Sequence, residues 1–258
     1  MPIHPTALIS PDARLAPDVE VGAYAIIEGA AEFGPGSVIG AHAQVLGRVI
    51  AGPRTQIGRA AIIGGDPQDL SFDPATGSGV RLGEGNVIRE HCTIHRSTLP
   101  GGFTQVGDGN FLMAGVHLGH DVRLGSRNVI ANACLLAGHV EVGDRAFLGG
   151  GSVFHQFLRI GSFAMVQGNS SMSQDVPPYC IASQLNQLCG LNAIGLRRAG
   201  FTAEERDEIR ALYRLLFRSG KLLGAAVGEA ARAGWCPRAQ ALLDFVAAPS
   251  KKGICVRG

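Results

Sequence analysis

A large apolar residue returns at every sixth position along most of this chain, and that period leaves few architectures open. Stepping by six from Ile3 meets Ile9, Leu15, Val21, Ile27, Phe33, Ile39, Val45, Ala51, Ile57 and Ile63. A second run holds Leu82, Ile88 and Ile94, and a third extends from Val106 through Leu118, Leu136 and Phe154 to Val166. Glycine often follows directly, as in Val21-Gly22, Ile57-Gly58 and Leu124-Gly125. The fifth place of the unit is small or β-branched, as at Ala25, Thr55 and Cys134. Neither an amphipathic helix nor an alternating strand keeps one such phase for so long. A coil of short strands does. Each unit makes one strand and one corner, the large residue points inward, and glycine relieves the backbone at the turn. With three sides per coil, residues about 18 apart stack as neighbouring strands of a parallel sheet.

The expected fold class is therefore mainly β: a parallel β-helix of hexapeptide repeats over 1–190, then a C-terminal α-helical domain over 191–258. Composition agrees, since 37 glycines and only 6% aromatic residues suit many tight corners around a narrow interior. The period does not fix the hand of the coil, and general crossover rules favour the right hand. Two interruptions stand out. Gly64–Gly79, with Pro67 and Pro74, breaks the phase and reads as an external loop. Thr98–Gln105, with Pro100-Gly101-Gly102, keeps the phase without the pattern and is expected to bulge outward. Loops on a rigid scaffold are favoured places for binding residues.

Beyond Leu191 the chain changes class. Thr202-Ala203-Glu204-Glu205 has the form of a capping box, and a helix is expected from there to Arg218, stopped by Ser219-Gly220. Further helices fit 221–233 and 237–247, and the last ten residues read as a tail. A net charge of +2 gives no global footprint for nucleic acid. No basic and apolar leader opens the chain, and no apolar run reaches the roughly 20 residues of a membrane span. Six cysteines without a CxxC pair read as reduced thiols of a cytoplasmic protein.

Four of the eight histidines, His117, His120, His139 and His155, fall late in the repeat. His120, His139 and His155 belong to units one coil apart, so their imidazoles are expected along one side of the prism, spanning about 10 Å. Packing does not require such a line. One chemistry for it is a zinc site, with His117-x-x-His120 and a third histidine as ligands. Residues three apart on a strand face opposite ways, which opposes that pairing. The other is general-base catalysis, in which Asp121 orients His120 and the Gly138 backbone N–H receives an oxyanion. No serine or cysteine elbow is visible, which favours direct transfer. A non-catalytic scaffold, in which the histidines are incidental, is the third class. In the helical segment Arg206, Arg210, Arg214 and Arg218 recur every fourth residue, with Arg197 and Arg198 before them. This stripe reads either as a solvated face or as a site for an acidic partner.

Taken together, several segments resemble the UDP-N-acetylglucosamine acyltransferases that begin lipid A synthesis. They are Gly64-Gly65-Asp66-Pro67-Gln68-Asp69-Leu70, Ile94-His95-Arg96, His117-Leu118-Gly119-His120-Asp121, Leu136-Ala137-Gly138-His139-Val140, Val153-Phe154-His155-Gln156-Phe157, Gln174-Asp175-Val176-Pro177-Pro178-Tyr179 and Gly195-Leu196-Arg197-Arg198. The resemblance implies a left-handed coil, a homotrimer with sites between subunits, and no cofactor beyond the 4'-phosphopantetheine carried by the donor, acyl carrier protein. It implies no metal, and it makes His120 the base on the sugar 3-position, helped by Asp121, with Gly138 holding the oxyanion. It assigns Gln68, Asp69, His117 and His139 to the sugar, and His155 and Gln156 to nucleotide or thioester. Gly168 gauges the acyl chain, and Asn192 and Arg198 join the substrate-binding set. Ser71, Ile194 and Ala199 depart from the family pattern, where many members carry a lysine, an acid and an arginine. Those departures keep open a 3-amino sugar, acylated on nitrogen, as acceptor.

Overall fold

Between Leu8 and Leu191 the chain makes a succession of strands, most of them two residues long, separated by corners. Along almost every strand an exposed or half-buried residue is followed by a buried one, as in Glu20–Val21, Arg123–Leu124 and Glu141–Val142. Successive strands fall in turn on three sheets of 9, 8 and 10 strands, so that every third strand is a neighbour in one sheet. The pairing is parallel throughout the coil, with Leu118 opposite Leu136 and Leu136 opposite Phe154. The structure is a computed structural model describing residues 3–256; Met1, Pro2, Arg257 and Gly258 lie outside the described residues.

The inward residues make three continuous columns: Ile27, Val45, Ile63, Ile94, Leu118 and Leu136 belong to one, and all are essentially inaccessible. Burying an aliphatic side chain of this size contributes about 1.5–3 kcal/mol, so the stack of columns is the main favourable contribution to the coil. The fifth residue of each unit closes a corner and must be small or satisfied. Along one corner Asn86, Asn110 and Asn128 form a ladder: the amide nitrogens of Asn110 and Asn128 donate to the side-chain oxygen one coil before at 3.0 Å, and that of Asn86 donates to the Gly83 and Gly107 carbonyls. The same oxygens accept the backbone N–H of the residue one coil on, at 2.9 Å for Asn110 and Asn128. Buried polar side chains thus cost little here, because each one is paired.

The two irregular segments are excursions from a coil that otherwise keeps its register. Ala51 pairs with Leu82 and Leu82 with Val106, steps of 31 and 24 residues where an ordinary coil takes 18. The first excursion leaves after strand Ile62–Gly65 and returns at strand Gly79–Leu82, with a register shift between Ile63 and Gly65 that absorbs the odd residue. The second is shorter than expected. It leaves after Thr93–His95 and rejoins the sheet at Phe103–Val106, so Phe103, Thr104 and Gln105 are strand rather than bulge.

Strand Gln187–Leu191 turns back antiparallel on strand Cys180–Ser183 and closes the coil. Four helices follow: α1 (Ala193–Arg198), α2 (Ala203–Arg218), α3 (Leu223–Ala230) and α4 (Pro237–Ala247). In α2 the capping box is complete: the Thr202 side chain accepts from the Glu205 N–H at 3.2 Å, and Glu205 reaches back to the Thr202 N–H at 2.9 Å. Helix α3 is shorter at both ends than 221–233, and α1 was not anticipated. Its N-cap is Asn192, which accepts from the Gly195 N–H at 3.0 Å. The segment leading to Val256 is not a free tail, while Arg257 and Gly258 of the expected tail lie outside the described residues. Ile254 bridges Asp175, Val256 bridges Gln187, and Cys255 is fully buried. Within that segment Ile254 and Cys255 are buried and make the last rung of packing. All six cysteines are free thiols, and burial pushes Cys92 up to about 11 and Cys134 and Cys255 to about 12. Among the described residues no helix is long and apolar enough to cross a membrane.

Candidate active site

Three corners of the first sheet stack at the middle of the coil, after Leu118, Leu136 and Phe154. Their turn residues Asp121, His139 and Phe157 all adopt the left-handed region, with φ of 59°, 60° and 66°. That conformation folds each side chain back against its neighbours. His120 and Asp121, adjacent in sequence, consequently face one another: His120 Nδ1 lies 3.0 Å from Asp121 Oδ2. His139 meets His120 edge-on with ring centroids 5.1 Å apart and stacks on Phe157 at 4.6 Å.

These corners border a groove of about 380 Å³ lined by Gln68, His95, His117, His120, Gly138 and Gln156, floored by Gly119 and Ala137. His117 and His120 share it, although strand alternation would separate them. The strand ends at Leu118, so a corner lies between the two histidines and the alternation rule does not reach across it. His117 Nδ1 sits 2.7 Å from Thr93 Oγ1, and its ring meets His95 edge-on at 4.7 Å. Burial, then the neighbouring His95 and His120, hold His117 down to about 4, so it is neutral at pH 7. Burial likewise lowers His95 and His139, the latter against the opposing pull of Asp121.

Asp121 is the best-held group of the set. Burial alone would favour its neutral form, but hydrogen bonds from Ser97, His120 and Thr98 outweigh burial and lower its pKa. A carboxylate facing Nδ1 assigns the imidazole proton to that nitrogen and leaves Nε2 as the free base. Gly138 lies against that Nε2: a methyl group there would come within 2.5 Å of it. The Gly138 N–H makes no hydrogen bond among the described residues, leaving a donor beside a base. His120, Asp121 and His139 also place ligand-type atoms within 4.8 Å of one another, as a metal site would. The Asp121 oxygens, however, already face donors from Ser97, Thr98 and His120. That suits an orienting carboxylate better than a ligand.

The first excursion brings Gln68 to the groove and Asp69 beside it, close enough to His120 and His139 for their charges to be felt. Asp69 Oδ1 accepts from the Ser71 N–H at 2.9 Å and the Ser71 hydroxyl at 2.8 Å, and these bonds lower its pKa. The expected line of three histidines is not straight. His120, His139 and His155 take three different places in their corners, and Phe157 rather than His155 continues the ring stack. His155 is exposed, with Nδ1 3.3 Å from the Gln156 carbonyl. Gly168 turns a corner of another sheet, against the Gly150 carbonyl. Asn192 is engaged in α1, donating to the Phe163 carbonyl at 3.0 Å, and Arg198 is exposed at the end of that helix. These four stand outside the groove of a single chain.

Of the basic stripe, Arg206 turns back to the Phe201 carbonyl, and Arg218 reaches Tyr213 at 3.1 Å and the Cys189 carbonyl at 3.3 Å. Arg210 pairs with Asp207, and Arg214 projects from the exposed face. Four groups at the site were not singled out from the sequence: His95, Ser97, Thr98 and Phe157. His95 follows the inward Ile94 as Gly119 follows Leu118, and that position marks it as facing the same groove.

The chain matches a family model described as Udp N-acetylglucosamine O-acyltransferase, domain 2, over residues 175–255. A relative from Paraburkholderia phymatum, named acyl-[acyl-carrier-protein]--UDP-N-acetylglucosamine O-acyltransferase, is 46% identical over 259 residues, covering 98% of each chain. The solved UDP-N-acetylglucosamine acyltransferase from Campylobacter jejuni superposes with a TM-score of 0.93 at 36% identity, over 99% of this chain and 100% of that one. The Francisella novicida UDP-N-acetylglucosamine acyltransferase gives 0.93 at 32% identity, over 98% and 94%. The prism is accordingly a left-handed parallel β-helix. With this much identity along almost its whole length, the chain belongs to the acyl-[acyl-carrier-protein]--UDP-N-acetylglucosamine O-acyltransferase family.

Proposed function

We propose that this enzyme transfers a 3-hydroxyacyl group from acyl carrier protein to the 3-hydroxyl of UDP-N-acetylglucosamine, the first step of lipid A synthesis, with His120 as general base. The observation that carries the mechanism is the 3.0 Å contact of His120 Nδ1 with Asp121 beside the unpaired Gly138 N–H. His120 Nε2 removes the proton of the sugar hydroxyl as its oxygen attacks the thioester carbonyl. The Gly138 N–H receives the oxyanion of the tetrahedral intermediate. Collapse breaks the carbon–sulfur bond, and the departing thiolate takes the proton from the imidazolium. Asp121 keeps the ring in the required tautomer and stabilises its charged form. His117, neutral at pH 7, then acts on the sugar as a hydrogen-bonding group rather than as a cation.

Gln68, which lines the groove, with Asp69 and His139 beside it, would hold the sugar, and Gln156 of the same groove would meet the nucleotide or thioester. His155, Gly168, Asn192 and Arg198 belong to the same reaction if the groove is completed by neighbouring subunits of a homotrimer. The open groove and the fully exposed Leu70 at the tip of the first excursion support that assembly. The exposed Arg197, Arg198, Arg210 and Arg214 suit an acidic carrier. Free thiols throughout fit the cytoplasm.

The test is a mass-spectrometric transfer assay with 3-hydroxyacyl carrier protein and UDP-N-acetylglucosamine, the 3-amino analogue in parallel, and His120→Ala as control. Transfer to the hydroxyl, lost in the variant, supports the proposal. Transfer to the amino sugar alone keeps the mechanism and changes the acceptor. Ser71 gives that branch substance: it is one of the departures from the family pattern expected from the resemblance, and its hydroxyl donates to Asp69. No transfer to either refutes the function.

A further inference from the structure

The second excursion does something that a decorative loop does not. It delivers donors to the one buried carboxylate of the site. Asp121 Oδ1 accepts from the Ser97 hydroxyl, and Oδ2 accepts from the Thr98 N–H at 3.1 Å and the Thr98 hydroxyl at 2.7 Å. Ser97 Oγ itself accepts from the Leu99 N–H at 3.0 Å, which turns its proton toward Asp121. On the other side, the Asp121 N–H donates to Thr104 Oγ1 at 2.8 Å, where the excursion rejoins the sheet. Both carboxylate oxygens are thus fixed by residues 23 or 24 positions earlier, and only then does Oδ2 meet His120.

The excursion is itself anchored. Arg96 donates through Nε to Asp66 at 2.8 Å and through Nη2 to the Pro74 carbonyl at 2.8 Å, and its guanidinium lies 4.7 Å over the Phe72 ring. Ser78 Oγ donates to the Ser97 carbonyl at 2.5 Å. The loop bearing Gln68 and Asp69 and the loop bearing Ser97 and Thr98 are therefore tied together by Arg96 and Ser78.

We propose that Ser97 and Thr98 are positioning residues for the transfer reaction: their hydroxyls hold the Asp121 carboxylate ionised and aimed, so that His120 presents an unprotonated Nε2 to the acceptor. This rests on the general-base reading of His120. Removing a donor leaves burial less opposed, so Asp121 takes up a proton at higher pH and the base loses its orienting charge. Other charged or titratable groups facing the pair are His139 from the next corner, with Nε2 3.8 Å from Asp121 Oδ2, His95 and His117 across the groove, and Asp69 from the first excursion. Arg123 and Lys251 act on it through His139. Among the described residues none of these side chains hydrogen-bonds to the Ser97 or Thr98 hydroxyl.

The experiment uses Thr98→Val, which removes the hydroxyl and keeps the shape, Thr98→Ser, which restores the hydroxyl, and Ser97→Ala. Each is made in the full chain and in an Asp121→Asn background. We expect Thr98→Val to lower kcat about tenfold, with KM within about twofold and the acid limb of the kcat profile moved to higher pH. Thr98→Ser should recover most of the rate, and Ser97→Ala should follow Thr98→Val in direction. In the Asp121→Asn background the same substitutions should cost less than about twofold, because residues acting as one unit are not additive. A Thr98→Val enzyme with wild-type kcat and pH profile overturns the inference. So does an equal loss in both backgrounds, which would mark a packing effect that does not act through Asp121. If the wild-type chain transfers to neither acceptor, the proposed function fails instead, and the two failures are distinct.

Discussion

Gly138→Ala separates folding from chemistry at this site. A Cβ built at Gly138 falls 2.5 Å from both Cε1 and Nε2 of His120 and 3.1 Å from its Cδ2. Ordinary contacts need about 3.4 Å or more, so the ring must move by about 1 Å. The backbone cannot yield as readily, because the corner is held by Phe157 N–H donating to the Gly138 carbonyl at 3.1 Å and His139 N–H to the His120 carbonyl at 3.0 Å. What moves is the imidazole, and its 3.0 Å contact with Asp121 is lost with the movement. Gly138 is not among the residues with positive φ, so alanine fits the backbone. Folding stability should change by about 1 kcal/mol or less. A displacement of about 1 Å at a reacting group can cost about 100-fold, equivalent to roughly 2.7 kcal/mol of transition-state stabilisation. We therefore expect kcat in the carrier-protein transfer assay to fall at least about 100-fold, with a thermal melt shifted by no more than about 4 °C. A variant within about threefold of wild type would show that His120 does not work from this position, and the mechanism would have to be redrawn.

Acidification should weaken the fold through His117. Its folded pKa of about 4 lies below the ordinary 6.5, so the unfolded chain binds more protons between those values, and stability falls as pH drops from about 6.5 toward 4. Replacing His117 with Phe should flatten that part of a stability-versus-pH curve measured by urea denaturation; an unchanged slope would contradict the assignment. Asp175→Ala leaves the Arg159 guanidinium, now 2.7 Å from the carboxylate, without its buried partner. A loss of about 3 kcal/mol is expected, with faster proteolysis near residues 250–256, which pair with Asp175 through Ile254. Asn110→Ala breaks the ladder on both sides, and thermal denaturation should register about 2–3 kcal/mol with transfer activity unaltered.

How far the sequence carries depends on whether a contact is local or periodic. The columns of Ile27, Leu118 and Leu136 follow from a six-residue count, because each unit repeats one conformation and its partner is always one coil away. The start and end of α2 follow from Thr202, Glu205 and Ser219-Gly220. The corner that joins His120 to Asp121 was legible as adjacency and is explained by the left-handed φ at Asp121. By contrast, Ser97 and Thr98 reach Asp121 from a segment with no repeat, so nothing in the count marks them. His155 was aligned with His120 and His139 because it shares their side, but three different corner positions point three ways. The docked Ile254 and Cys255 are unmarked for a related reason: the three-residue apolar stretch Ile254-Cys255-Val256 carries too little periodicity to predict a strand. Helix α1 is short, and its only local sign is the Asn192 cap.

The steps of 31 and 24 residues have a consequence for how such a protein can vary. Both excursions leave and rejoin the prism with the strands on either side still stacked, so the load-carrying columns are indifferent to what hangs between them. Length and composition of residues 66–78 can drift, or be exchanged between relatives, without shifting a single rung. Within the rungs an added residue must be absorbed locally, as at the register shift between Ile63 and Gly65, or every later side chain would turn outward. The molecule is thus divided into a part whose arithmetic is fixed and two inserts bound only by the contacts they make at the site, those of Gln68, Ser97 and Thr98 among them. It is in those inserts, at Gln68, Asp69 and Ser71, that a change of acceptor would be sought by grafting loops rather than by redesigning the coil.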